Sequence, residues 1–146
     1  MNYSVIIPCA GMGKRMGLGY NKLLYSKDGV TIIEKTVSVF KTDTRCHQII
    51  LVVNKHDENI FKKLFNDQDK IEMTLGGKER QDSVYQGLLK AKCDYVLIHD
   101  GARPYLSLEC IDRLLNTLID HDACLLMVPA KDTIKNCSRW ICSVYS

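Results

Sequence analysis

A chain of 146 residues, 46% hydrophobic and 25% charged, has the composition of one ordinary water-soluble domain long enough to bury a core. Its net charge of +3 comes without a long Lys/Arg run or interleaved aromatics, which argues against a nucleic-acid partner. No apolar stretch approaches the ~20 residues of a membrane span, and the seven cysteines (Cys9, Cys46, Cys93, Cys110, Cys124, Cys137, Cys142) include no Cys-x-x-Cys zinc spacing, so reduced thiols in a cytoplasmic protein without a signal peptide are expected.

The apolar run from Tyr3 to Ile7 predicts a buried strand. It leads into Pro8-Cys9-Ala10-Gly11-Met12-Gly13-Lys14-Arg15-Met16-Gly17, closed by Asn21-Lys22. A strand ending in a glycine-rich loop gathers backbone N–H groups, and glycine lets the backbone approach an anion closely. Lys14, Arg15 and Lys22 add full positive charge, so the loop suits a polyphosphate. It lacks the Gly-Lys-Ser/Thr of a Walker A loop. It also misses the dinucleotide fingerprint, because Gly17 stands one place late, which argues against a redox dehydrogenase.

Further along, residues 31–41 predict a helix with Thr31 as N-cap and Ile32, Ile33, Val37 and Phe40 as apolar positions. Residues 48–53 read as a strand buried on both faces, and 56–65 as a helix. Residues 70–75 alternate as a strand and are broken by Gly76-Gly77. A helix over 79–92 places Val84, Leu88 and Ala91 on one face. Then follow a strand at 95–99, a helix at 107–120 with Ser107 as N-cap, and an apolar strand at 123–128. Residues 136–146 read as one short strand. Strands alternating with helices predict a doubly wound α/β fold, a mostly parallel sheet with helices on both faces, whose ligands bind outside the carboxyl ends of the strands. The expected organisation is one domain over 1–135 and a divergent tail over 136–146 that leaves the fold incomplete.

Three more segments carry chemistry. In His99-Asp100-Gly101-Ala102-Arg103-Pro104, a carboxylate at a strand end can reach a Mg²⁺ held mainly by substrate phosphates, with Gly101 allowing close backbone approach. The plain alternative is an Asp-Gly turn with Arg103 on the surface. In Gly76-Gly77-Lys78-Glu79-Arg80-Gln81-Asp82-Ser83-Val84, a helix start offers donors to an anion or a base edge. Ser83 can face the cleft, whereas Asp82 reads as a capping residue. Pro129-Ala130-Lys131-Asp132-Thr133-Ile134-Lys135 is either a polar exit loop or a contact for a second, phosphorylated substrate.

Together and in this order, these four segments resemble the 2-C-methyl-D-erythritol 4-phosphate cytidylyltransferases of the non-mevalonate isoprenoid pathway. The matching patterns are Pro-x-Ala-Gly-x-Gly-x-Arg-Met, Gly-Gly-x-x-Arg-x-x-Ser-Val, His-Asp-x-Ala-Arg-Pro and Asp-Thr-Ile-Lys, over residues 3 to 135. The resemblance implies a nucleotide-diphospho-sugar-transferase-like fold and a Mg²⁺-dependent transfer of CMP from CTP to the sugar-alcohol phosphate. It implies that Arg15 and Lys22 stabilise the transition state and that Asp100 lies near the metal and ribose. It also implies that Pro8, Ala10, Gly11, Gly13, Gly76 and Ser83 hold the nucleotide, with Lys14, Arg80 and Gly101 beside it and Thr133 near the second substrate's phosphate.

Departures from the family pattern carry their own expectations. Asn21 stands where proline is usual, which changes loop rigidity more than chemistry. Cys9 stands where alanine is usual and reads as a small apolar filler, with sensitivity to alkylation as the alternative. The family continues past this point with an arm used for dimerisation and second-substrate contacts, and residues 136–146 do not match it, as expected of a gene that stops early or changes frame. Two alternatives accompany the main reading: a ribitol-5-phosphate cytidylyltransferase, and a truncated domain that binds CTP without catalysing transfer.

Overall fold

Every residue of the run Tyr3–Ile7 is buried, which only a strand covered on both faces allows. The computed structural model describes residues 1–11, 19–66 and 68–128, and the backbone alone at 134–138 and 141–145. Two compact units result, Met1–Glu109 and Cys110–Ser146.

The first unit begins with β1 (Tyr3–Pro8), followed by a single 3-10 turn at Lys22–Leu24. A miniature hairpin, β2 (Ser26–Lys27) and β3 (Val30–Thr31), comes next. Its Asp28-Gly29 tip has φ of 56° and 78°, the left-handed pair that a two-residue hairpin requires. Helix α1 (Ile32–Thr42) starts where expected: Thr31 Oγ1 accepts from the Glu34 amide at 3.2 Å and Glu34 Oε2 accepts from the Thr31 amide at 2.8 Å, a reciprocal capping box. Strand β4 (Cys46–Val53) is buried throughout except at His47. Helix α2 (Glu58–Leu64), strand β5 (Ile71–Leu75), helix α3 (Arg80–Leu88) and strand β6 (Tyr95–Ile98) follow.

The four long strands form one parallel sheet in the order β5-β4-β1-β6. The chain winds outward from β1 in one direction through β4 and β5, then returns to the other side of β1 with β6. The carboxyl ends of β1 and β6 therefore flank a topological switch point, where open α/β sheets bind their ligands. Consecutive residues of β1 face opposite layers. Ile6 meets α3 at Gly87, where an added Cβ would stand 2.5 Å from Ile6 Cγ2. Ile7 faces the α1 side, packed with Ile33 around Gly101.

Three expectations need correction. The inner face of α3 is not Val84 and Leu88: Ser83 and Gly87 are buried and Leu88 is exposed, whereas Ala91, just past the helix, does pack on the cluster of Ile6, Ile50 and Val52. Close approach to Ile6 at the side-chain-free Gly87 rotates the helix away from its apolar stripe. Residues 123–128 form no strand, and Leu125, Met127 and Val128 are exposed. An apolar run is necessary for a buried strand, but a hydrogen-bonded neighbour is what makes it one. The tail holds two strands in place of one, β7 (Ile134–Ser138) and β8 (Ile141–Tyr145), paired antiparallel in the second unit. That unit also carries most of helix α4 (Leu108–Thr117), with Ile111 and Leu115 buried. Among the described residues, no helix is long and apolar enough to cross a membrane.

The amino end of β1 is anchored by a charged cluster. Asp43 accepts from the Tyr3 hydroxyl at 3.0 Å and from Arg45 Nε and Nη2 at 2.9 and 2.8 Å. The Arg45 guanidinium holds the Asp43 carboxyl below the ordinary carboxylate range, against the opposing effect of burial. A carboxylate depressed in the folded state stabilises above its unfolded value of about 4, and loses that contribution as pH falls through the lower folded value. The Tm difference between wild type and Asp43→Asn is therefore expected to be full at neutral pH and to shrink below about pH 4. A difference independent of pH in thermal melts would show that the charge contributes nothing.

Candidate functional site

Three strand ends converge at the switch point. At the end of β1, Pro8 lies opposite Val52, and the Cys9 amide continues the ladder to Val52 O at 2.7 Å. The Cys9 side chain is buried, its Sγ donates to Ile7 O at 3.2 Å, and burial pushes the thiol far up. This burial fits Cys9 as a small apolar filler and leaves no exposed thiol surface for alkylation. Ala10 is half-buried, and Gly11 is exposed with open space around it. Gly13, Lys14 and Arg15 lie outside the described residues, as does Thr133.

At the end of β5, the Gly76 amide bonds Val53 O at 2.8 Å. An added Cβ there would stand 2.6 Å from Ser83 Oγ and 3.1 Å from Ala10 Cβ. Gly76 thus lies against both Ser83, from its own segment, and Ala10, from the first loop, and only glycine fits beside them. Ser83 is buried one turn into α3, and its hydroxyl donates to Glu79 O at 3.2 Å, which leaves oxygen lone pairs to accept a further bond. Asp82 caps the helix start, as its position predicted, by accepting from the Glu79 amide at 2.9 Å.

Beyond β6, the His99 amide bonds Ile6 O at 3.0 Å, and Asp100 follows. Arg80 Nη2 stands 2.6 Å from Asp100 Oδ1 and Arg103 Nε 3.2 Å from Oδ2. The Arg80 hydrogen bond, more than any other influence, holds the Asp100 carboxyl below the ordinary range, with burial opposing it. Arg103, exposed on the turn after β6, thus also touches Asp100. Its own backbone is tied down, with the amide on Asp100 O at 3.1 Å and the carbonyl 2.9 Å from His99 Nε2. Gly101 differs from expectation. It is buried, its carbonyl accepts from Thr36 Oγ1 at 2.7 Å, and an added Cβ would stand 3.0 Å from Leu23 Cδ1. The close approach it permits is that of the protein's own core rather than of a ligand.

That packing joins the two halves of the site, since Leu23 follows Lys22 and Gly101 follows Asp100. Lys22 opens the 3-10 turn, is exposed, and has no side-chain partner among the described residues. Asn21, just before it, is buried. Its Nδ2 donates to Cys9 O at 2.8 Å and to Asp57 Oδ2 at 3.0 Å, while its Oδ1 accepts from the Leu23 amide at 3.1 Å. Sequence reading took Asn21 only as a change in loop rigidity and missed Asn54 and Asp57, because their roles depend on contacts between distant segments.

The contact of Leu23 with Gly101 brings the Lys22 turn against the chain next to Asp100, whose carboxylate is flanked by two guanidiniums, with buried Ser83 at the start of α3 and side-chain-free Gly76 at the end of β5. Among the described residues, no group of three or more His, Cys, Asp and Glu could hold a metal by itself. One carboxylate kept ionised suits a hard cation such as Mg²⁺, which takes one or two protein carboxylates and completes its shell with phosphates and water.

Comparison with known proteins agrees with this geometry. The IspD family model, 2-C-methyl-D-erythritol 4-phosphate cytidylyltransferase, matches residues 3–144. The protein of that name from Bacillus velezensis is 47% identical over 139 residues, covering 92% of this chain and 60% of the relative. That from Bacillus licheniformis is 44% identical over the same 139-residue length, again covering 60% of the relative. The chain thus spans about 60% of the length of these curated relatives. Among solved structures, 4-diphosphocytidyl-2C-methyl-D-erythritol synthase from Anaerococcus prevotii superposes with a TM-score of 0.82 at 30% identity, covering 98% of this chain and 62% of that one. The cytidylyltransferase from Francisella tularensis superposes with a TM-score of 0.74 at 29% identity, over 100% of this chain and 66% of that one.

Proposed function

This chain belongs to the 2-C-methyl-D-erythritol 4-phosphate cytidylyltransferase family, and we propose that it transfers CMP from CTP to 2-C-methyl-D-erythritol 4-phosphate, releasing pyrophosphate. A phosphate oxygen of the acceptor attacks the α-phosphorus of CTP, a new P–O bond forms, and the bond to the β-phosphate oxygen breaks. The observation that carries this reading is the approach of Ala10 and Ser83 to Gly76 at the ends of β1 and β5, with Asp100 after β6 and Leu23, next to Lys22, packed on Gly101.

Little covalent chemistry falls to the protein in such a transfer, so positioning and charge stabilisation dominate. Lys22, joined by Arg15, neutralises charge growing on the α-phosphoryl oxygens and on the leaving pyrophosphate. Pro8, Ala10, Gly11, Gly13, Gly76 and Ser83 hold the nucleotide, and Ser83 Oγ offers an acceptor to the cytosine amino group. Asp100 would hold a Mg²⁺ together with the CTP phosphates, and the bound ion would supply further charge neutralisation at those oxygens. Arg80 and Arg103, which engage Asp100 in the structure, gain the CTP phosphates as alternative partners. Thr133 and Lys14 complete the phosphate contacts. The described cysteines are free thiols, which supports a cytoplasmic setting.

The test is pyrophosphate release by the purified 146-residue chain with CTP and Mg²⁺, using methylerythritol phosphate and ribitol phosphate as separate acceptors. Release that requires CTP and methylerythritol phosphate together is the expected result. Release only with ribitol phosphate would transfer the assignment to that acceptor. CTP binding by a folded chain without release would leave a nucleotide-binding domain and no transferase.

A further inference from the structure

Asp57 occupies the N-cap position of α2, where an aspartate ordinarily accepts from the helix's own first amides, yet its side chain makes no such bond. It is 4% exposed, so its carboxylate is neither solvated nor used as a cap. Both contacts go instead to asparagine amides: Oδ2 accepts from Asn21 Nδ2 at 3.0 Å and from Asn54 Nδ2 at 2.7 Å. Each amide in turn holds one carbonyl at the root of the glycine-rich loop. Asn21 donates to Cys9 O at 2.8 Å, and Asn54 makes a longer contact of 3.4 Å to Ala10 O. Asn54 Oδ1 also accepts from the Asp57 amide at 2.7 Å. Asn21, 3% exposed, uses its remaining oxygen on the Leu23 amide and so shapes the turn that begins with Lys22.

We infer that Asp57 is a positioning residue for the proposed transfer: through Asn21 it fixes the Lys22 turn against the end of β1. A buried amide with one N–H on Cys9 O and the other on a carboxylate has a single satisfied orientation, and a charged acceptor makes that bond stronger than a neutral one does. Removing the carboxylate leaves donors of buried Asn21 and half-buried Asn54 unmatched. Rotation of the Asn21 amide then releases the Leu23 amide, and the turn loosens around Lys22 while the sheet stays paired.

The inference rests on the functional reading above only for its catalytic consequence, so the experiment has two arms. In amide hydrogen exchange, Asp57→Ala is expected to speed exchange at Leu23 by about ten-fold or more while protection in β1 and β4 is unchanged. Asn21→Ala should do the same, and it decides the matter if Asp57→Ala does not fold. Leu23 protection within about two-fold of wild type, or an equal loss across β4, overturns the inference. In turnover, Asp57→Ala should lower kcat about ten-fold with KM for CTP little changed, and have no further effect when Lys22 is already alanine. An equal fall in kcat with and without Lys22 overturns it, since a merely structural loss would act on both backgrounds alike. If the wild-type chain releases no pyrophosphate, the functional reading fails, and the exchange arm alone decides whether Asp57 sets the turn.

Discussion

Replacing Lys22 with alanine is expected to cut the turnover of CTP about a hundred-fold or more, with little change in KM. The residue stands at the switch point on a short turn that Asn21 and Leu23 hold to the sheet, and its ammonium has no competing partner among the described residues. A cation so placed costs little reorganisation when negative charge grows on the transferring phosphoryl group. Losing one preorganised donor of this kind raises a barrier by about 3–4 kcal/mol, or roughly a hundred- to a thousand-fold in rate. Steady-state pyrophosphate release by the wild type and Lys22→Ala checks this. A kcat within a few-fold of wild type would remove Lys22 from the transition state, and a rise in KM alone would make it a ground-state binder. Lys22→Arg is the informative companion, because a planar fork replaces a compact point charge and should restore only part of the loss.

The largest stability effect is expected at Gly87, where two principles oppose each other. Glycine inside a helix costs about 1 kcal/mol relative to alanine, so propensity alone favours filling the position, with a gain of about 0.5 kcal/mol for valine. Packing decides otherwise. An added Cβ would stand 2.5 Å from Ile6 Cγ2 and 3.2 Å from Ile6 Cδ1, and Ile6 is fully buried on a strand paired on both sides. Overpacking of this kind costs about 1–3 kcal/mol, which exceeds the propensity gain. Gly87→Val should therefore destabilise by about 2 kcal/mol and lower Tm by roughly 5–10 °C. The cause is separable from helix propensity by a double substitution. Ile6→Ala vacates the space, so Gly87→Val should cost far less in that background than in wild type. Equal costs in thermal or denaturant unfolding would show that contact with Ile6 is not the reason.

Much of the site was legible because each motif carries its own local logic. A buried apolar run followed by glycines and cations, a Gly-Gly before a helix start, and Asp-Gly after a strand each sit within about ten residues, and their order matched one family. The same holds for α1, whose Thr31 and Glu34 cap it from within a single turn, and for β4, whose apolar run is continuous. The Asp28-Gly29 hairpin was equally local, and its turn signal was available to be read.

What escaped that reading depends on segments that meet only after folding. Asp57 looked like an ordinary helix start, and only the approach of residue 21 to residue 57 turns its carboxylate away from its own helix. Arg80 and Asp100 are 20 positions apart, and their pairing needs β6 beside β1. Gly87 was not singled out, and Gly101 read as a place of close backbone approach, until Ile6 and Leu23 showed what fills the space beside them. Periodicity determined the alternation of strands and helices, and the order of the motifs pointed to the family and to a candidate site at the strand ends, because those signals lie within one stretch of chain. Strand order, the buried face of α3 and the hold on Lys22 were decided by tertiary structure alone, because steric fit and buried hydrogen bonds exist only between surfaces that the folded chain brings together.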